Sequence, residues 1–373
     1  MTFNLKEIIM KTTYIIALGA LFLICIGLRL IKIRSSKQDQ IKIMELASAF
    51  ILSRAIHVAA EIKIADLMVD GPQNITTLAQ KSGMNEDALY RLLRLLASYD
   101  IFSHDASKNF SLTPLAQQLI STDPHSLWSW VTYHNDINRW TAYGDMKYSI
   151  ETDKPAFNHI FGKGYFDFLS DNPELGAQFD EGMKNIAAGE TAHIVNSYNF
   201  SPYHTITDIG GGKGGLLAEI LHNKKSLSTQ KGILFDLPYV EQSAEEYLSS
   251  VNLNNRVTFV PSTGFFEVPQ DADLYILKRI LHDWNDADSV TILKNCYNAM
   301  QQNARLLIIE NIVSQENVRD FSKDIDIAMM VLFGGKERTK TEWENLLAQA
   351  NLEIIKIYKT PSMVSIIEVQ KKQ

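Results

Sequence analysis

Residues 205–215 read TITDIGGGKGG, and the rest of the chain is best read outward from them. Thr205, Ile206, Thr207 and Ile209 make a β-branched run of the kind that forms a buried strand. Gly210, Gly211, Gly212 and Gly214 follow, and Leu216, Leu217, Ile220 and Leu221 then recur with helical spacing. A strand, a glycine bend and a helix bring backbone N–H groups and a helix N-terminus against a ligand. Glycine suits the bend because a Cβ would block the approach and such bends often use positive φ.

Two ligand patterns fit this bend, and a bend without a ligand is the third reading. Gly210, Gly212 and Gly215 satisfy the GxGxxG of dinucleotide-binding units. Asp208, Gly210, Gly212 and Gly214 satisfy the acidic-x-Gly-x-Gly-x-Gly loop of S-adenosylmethionine (SAM) enzymes. Asp236 closes the next β run. A carboxylate there can accept both hydroxyls of an adenosine ribose in either nucleotide reading, or cap the turn before Pro238.

Downstream the pattern alternates. β runs at 205–209, 232–235, 257–260, 274–277 and 305–310 are separated by helical stretches such as 216–222, 240–250 and 286–300. This predicts an α/β domain over 201–373, a mostly parallel sheet with helices on both faces. The last two β runs, 352–358 and 364–369, are close enough to form a hairpin and add an antiparallel strand.

Upstream, residues 41–200 read as mainly helical. Ala47, Ile51, Ala55, Val58 and Ile62 recur every three or four positions and mark one buried face. Helices at 75–83 and 86–98, followed by a small hairpin over 101–112, give a winged-helix outline. A DNA-reading version would carry basic residues on its second helix. Here Arg91 and Arg94 are offset by Glu86 and Asp87, and the net charge of the whole chain is −7. A scaffold or dimerisation role is therefore expected, with no nucleic acid partner. Residues 121–200 are rich in aromatics, and part of that set can line an apolar pocket for a flat ligand. Two cysteines suggest no disulfide framework, and without a Cys/His cluster of ligand spacing no metal site is expected.

The N-terminal 1–40 stands apart. Residues 12–28 carry no charge and would span about 25 Å as a helix, the short edge of what crosses a bilayer. Arg29, Lys32, Arg34 and Lys37 follow it. That asymmetry predicts a membrane anchor through 12–28 with the catalytic body in the cytoplasm, the alternative being a soluble cytoplasmic protein.

Three further clusters can carry chemistry. His282 and Asp283 lie just past the β run that ends near Lys278, at the ligand-facing edge of such a sheet. Glu310 closes the fifth run on the same edge, where capping is its plain alternative. Glu337, in the polar loop 334–339, can reach a histidine on that rim.

Read together, these motifs resemble the SAM-dependent O-methyltransferases of the caffeic-acid and hydroxyindole type and their bacterial relatives. The resemblance covers about 43–373. It rests on DIGGGKGG, on FDLP at 235–238 and FFEVP at 265–269, on ADLYILKRILHDW at 272–284, and on GGKERT at 334–339. It implies a Rossmann-like SAM methyltransferase domain preceded by a helical, winged-helix-like dimerisation domain, hence a homodimer. It further implies that Gly210 lies under the methionine part of SAM, Asp236 holds the ribose, Phe265 packs near the adenine and Lys278 touches the cofactor. His282 would be the general base, flanked by Glu310 and Glu337. One departure stands out: the family's Gly-Asp before the aromatic pair is Thr263-Gly264 here, so an adenine contact is lost unless Ser262 supplies one.

The expected reaction is methyl transfer to a hydroxyl of a small phenolic or other aromatic acceptor. Phe166, Phe168, Met183, Met329 and Met330 are candidates for the acceptor pocket between the two domains. A nicotinamide-dependent oxidoreductase and a catalytically silent winged-helix regulator are the competing classes.

Overall fold

The structure, a computed structural model, describes residues 37–372 other than 124, 225, 263, 265 and 266, with the side chains of 180 and 184–188 also outside the description. The apolar run 12–28 and Phe265 therefore lie outside the described residues. The chain divides into two units, one ending at Val58 and one beginning at Ala59.

In the first unit, helix Lys37–Ala47 buries none of its residues. Ile41, Ile43, Met44, Leu46, Phe50 and Ile51 all stand exposed. By length and composition alone, the helical run Lys37–Glu61 is apolar enough to cross a membrane.

The second unit opens with the winged-helix outline. Asn74 caps helix Ile75–Ser82 by accepting from the Thr76 N–H, and Gly83, at φ 71°, ends it. Helix Glu86–Ala97 buries Leu89, Leu93 and Leu96. The wing pairs β2 (Phe102–His104) with β3 (Asn109–Leu112). Its third strand, β1 (Gln73–Asn74), pairs with β3 and is too short to leave a periodic signal. Asp105 makes the hairpin turn, its carboxylate accepting from the N–H groups of Ser107 and Asn109.

The large sheet runs β11-β12-β8-β7-β4-β5-β6. Its strands are β4 (Thr205–Ile209), β5 (Lys231–Asp236), β6 (Val257–Pro261), β7 (Leu274–Lys278), β8 (Arg305–Glu310), β11 (Leu352–Lys359) and β12 (Ser365–Lys371). β4 to β8 are parallel, and β12 runs antiparallel to both β8 and β11. Leu274, Tyr275, Ile276 and Leu277 are fully buried, as a strand covered by helices on both faces requires. Each such aliphatic side chain contributes about 2 kcal/mol of transfer free energy. The chain winds from β4 out to β6 and then returns to β7 on the other side of β4. Strand order reverses there, and crevices at such reversals, at the carboxyl ends of the strands, receive ligands.

A two-stranded parallel sheet completes the rim. β9 (Ile312–Val313) pairs with β10 (Arg338–Thr339), Arg338 opposite Ile312. This pairing draws the 334–339 loop, which reads as a free polar turn in sequence, alongside the end of β8.

Candidate active site

His282 sits on a single 3-10 turn, Leu281–Asp283, immediately past β7. Glu310 builds that turn: its Oε1 accepts from the N–H groups of Ile280 (2.9 Å) and Leu281 (3.1 Å). Capping and charge are thus one role, since Glu310 Oε2 lies 3.7 Å from His282 Nδ1. Glu337 Oε1 is closer, 2.9 Å from the same Nδ1, and also accepts from Asn311 Nδ2 at 2.9 Å. The Glu337 backbone N–H donates to Asp326, which holds the loop on helix Ser322–Leu332. With Nδ1–H committed to a carboxylate, neutral His282 carries its lone pair on Nε2.

The electrostatics are lopsided. Burial alone would lower the pKa of His282, but Glu310, Asp283 and Glu337 outweigh it and raise the imidazole to about 9. Glu310, fully buried, is pushed upward by that burial. The ligand atoms of His282, Glu310 and Glu337 lie within 4.8 Å of one another, compact enough for a cation. Nδ1 and Glu337 are already hydrogen-bonded to each other, and Glu310 Oε1 is occupied by two backbone N–H groups, an arrangement suited to handling a proton.

The glycine bend lies at the ends of β4 and β5. Gly210, Gly212 and Gly214 have φ of 67°, 58° and 87°, where a side chain is disfavoured. At Gly211 a Cβ would lie 2.6 Å from the Asp208 carboxylate and from Leu234. Asp236 clasps the bend, accepting from the Gly212 N–H and the Leu237 N–H at 2.7 Å each. Asp208 is buried, and burial raises its carboxyl to about 7, with Lys278 opposing and Asp236 adding. Its Oδ2 has no hydrogen-bond partner among the described residues. A bend held at positive φ, beside two carboxylates, one with an orphaned oxygen, fits a ligand that brings its own donors, as SAM does through its ribose hydroxyls and ammonium group.

Lys278 ends β7, and its ammonium lies 3.4 Å from Glu190, which also holds the guanidinium of Arg279. Ser262 is turned inward onto the backbone of Gly264, accepting from its N–H at 2.9 Å. The five expected acceptor residues gather around one aromatic cluster. Met329 is part of its buried core, with Phe168, Met183 and Met330 packed against it. Phe166, half exposed, has its ring centroid 5.4 Å from that of Phe333 and 5.9 Å from that of Phe179. The Met329 carbonyl accepts from the N–H groups of Gly334 and Gly335, so this cluster leads straight into the loop carrying Glu337.

Sequence reading missed Glu190, Asn311, Asp326 and Arg338. Arg338 is fully buried and donates to the carbonyls of Leu281 and Trp284 at 2.9 Å each, clamping both ends of the His282 turn. It lay inside a quoted motif, as did Gly335, whereas no sequence signal marks Glu190.

Comparison with known proteins places both parts of the chain in known domain families. Residues 143–353 match the O-methyltransferase domain family, and residues 44–122 match the O-methyltransferase dimerisation domain. The chain is 35% identical over 328 residues to the phenazine O-methyltransferase PhzM of Lysobacter antibioticus, covering 88% of this chain and 95% of that protein. Its fold is similar to the mitomycin 7-O-methyltransferase MmcR at TM-score 0.82 and 30% identity, covering 90% of this chain and 98% of that one. It is also similar to the O-methyltransferase NcsB1 from neocarzinostatin biosynthesis, solved with SAM and 2-hydroxy-5-methyl naphthoic acid (TM-score 0.73, 29% identity, 86% and 96% covered). None of these relatives favours the oxidoreductase alternative.

Proposed function

We propose that this chain, which belongs to the SAM-dependent O-methyltransferase family, uses His282 as the general base for methyl transfer to an aromatic hydroxyl. The chain is a SAM-dependent O-methyltransferase whose relatives act on small aromatic substrates. SAM supplies an electrophilic methyl group on a sulfonium. Asp236 and the bend of Gly210 and Gly212 would hold it, with Asp208 beneath. Phe265 is proposed for the adenine, and Lys278, paired with Glu190, for the edge of the same site.

The reaction then asks two things of the protein: to align the acceptor oxygen and to remove its proton. A phenolic hydroxyl is a weak nucleophile at neutral pH. His282 Nε2 takes its proton as the new bond forms, a contribution of about 10²–10⁴-fold. Glu337 fixes the ring and tautomer through Nδ1, and Glu310 adds charge that stabilises the imidazolium. Phe166, Phe168, Met183, Met329 and Met330 would form the apolar wall that holds a flat acceptor. The observation that carries this reading is the 2.9 Å bond between His282 and Glu337 with Glu310 behind it.

The matched dimerisation domain supports a homodimer, and the exposed apolar residues 41–51 offer a surface for it. The proposed division is 1–40, 41–200 and 201–373, with 12–28 anchoring a cytoplasmic enzyme to the membrane. Recovery of the full chain in the soluble fraction would remove that anchor. The catalytic proposal is tested by incubating the protein with methyl-labelled SAM and a panel of mono- and polycyclic phenols. Labelled methyl ether is the expected product. SAM binding with no labelled ether from any phenol would overturn it.

A further inference from the structure

One buried amide beside the base has no part in the reaction above. Asn311, 1% exposed, joins β8 to β9. The register of β9 on β10 sets Ile312 opposite Arg338, so the residues just before them, Asn311 and Glu337, come side by side. Asn311 Nδ2 donates to Glu337 Oε1 at 2.9 Å, the same oxygen that lies 2.9 Å from His282 Nδ1. This bond settles which way the amide faces, since the reverse orientation would turn its carbonyl onto a carboxylate. Among the described residues Asn311 Oδ1 has no partner, and neither has Oε2 of Glu337 or of Glu310.

A buried acceptor left unpaired is destabilising, so half of this amide works against the fold. A leucine of similar volume would fill the space without that loss. What leucine cannot do is donate. Glu337 Oε1 divides itself between two donors, and each weakens its hold on the other. Charged groups surround the ring on several sides. Glu310 comes from the end of β8, Asp283, 3.6 Å from Nε2, from the same turn, and Arg279, held by Glu190, from the end of β7. Asp326 reaches the Glu337 backbone, while Lys336 and Arg338 are paired with Asp286. Glu310, Asp283 and Glu337 all favour the protonated ring, and the Asn311 amide is a neutral donor that opposes one of them.

We propose that Asn311 is a positioning residue for methyl transfer: its N–H fixes the Glu337 carboxylate that orients His282 and, by sharing that oxygen, loosens its grip on the ring's proton. The inference rests on the reading of His282 as the base. Without Asn311 the whole of Glu337 Oε1 falls to Nδ1–H, the imidazolium gains, and the ring stays protonated to higher pH. Asn311 thus keeps the base available closer to neutrality, while Glu337 still fixes its tautomer.

The test is Asn311→Leu in the full chain, with calorimetric SAM affinity as the check on folding. The rising limb of kcat/KM should move toward alkali by about half to one pH unit, so that kcat/KM at neutral pH falls about threefold to tenfold. A residue that only supports the fold would leave the limb in place. Added to Glu337→Gln, Asn311→Leu should shift nothing further, since the oxygen it acts through no longer carries charge. If Asn311→Leu does not fold, Asn311→Ala removes the same donor and should give the same shift. NMR of labelled histidine, with His282→Ala identifying the signal, reads the ring's own titration without turnover. A ring titration unmoved or moved toward acid in a folded variant, or an equal shift on top of Glu337→Gln, overturns the proposal. A ring titration that moves toward alkali while the kcat/KM limb stays put would instead take the role of base from His282 and leave the hold of Asn311 on the ring standing.

Discussion

The Gly335 backbone lies against the His282 carbonyl so closely that a Cβ on Gly335 would fall 2.0 Å from that oxygen. The next residue, Lys336, donates its N–H to the same carbonyl at 2.8 Å. Glycine at 335 is thus a packing requirement: it lets the loop that brings Glu337 touch the turn that brings His282. Gly335→Ala must push the two apart. The expected result is a fall in kcat of about a hundredfold, since a misplacement of about 1 Å has that effect, with SAM affinity preserved. Steady-state kinetics beside a calorimetric SAM titration checks this, and wild-type kcat would show that the contact does not position the base.

His282→Ala removes the proton acceptor and leaves the glycine bend intact. Turnover should fall by about 10²–10⁴-fold while SAM still binds. A variant that turns over near the wild-type rate rules His282 out as the base.

The pH dependence follows from the carboxylates. They outweigh the effect of burial and raise His282 to about 9. Below that value the ring is mostly protonated and cannot accept, so kcat/KM should climb about tenfold per pH unit and level off above about 9. Glu337→Gln removes one negative charge, which lowers the imidazole pKa and moves the rising limb toward acid. An unmoved limb in that variant would separate Glu337 from the ionisation that governs rate.

Asp236 acts on a different step. Its carboxylate pins the Gly212 N–H at 2.7 Å and is proposed to hold the ribose. Asp236→Ala should weaken SAM binding by about tenfold to a hundredfold, the loss of a charged hydrogen bond, and leave the pH limb where it is. Unchanged SAM affinity would take the ribose role away from Asp236.

The parts of this molecule that were legible in sequence are those written in local pattern. The β-branched run of β4 and the continuous apolar run of β7 predict buried strands because burial is written in consecutive residues. The stop at Gly83 and the hairpin around Ser107 follow from backbone preferences of single residues. β1, β9 and β10 have two residues each and carry no period, so only tertiary pairing creates them. The same limit applies to the site. His282, Glu310 and Glu337 could be proposed from their places on one sheet edge, but Glu190 meets Lys278 from a helix far away in the chain.

Arg338 ties this architecture to stability as well as rate. Its side chain is wholly buried, donates to Leu281, Trp284 and Ser289, and pairs with Asp286 at 2.8 Å. Arg338→Met keeps much of the volume but removes the 2.9 Å donors to the Leu281 and Trp284 carbonyls, leaving them the longer 3.3 Å bonds from the Ser289 hydroxyl. Unfolding free energy should drop by about 3 kcal/mol, at the level seen when one partner of a buried charged network is removed. Because Leu281 and Trp284 flank His282, kcat should fall with it, and Arg338→Lys should recover only part of either loss, since one ammonium cannot replace a planar fork of donors. Urea unfolding followed by circular dichroism measures the first effect and turnover at saturating SAM the second. A destabilised protein with undiminished kcat would make Arg338 a support of the fold alone.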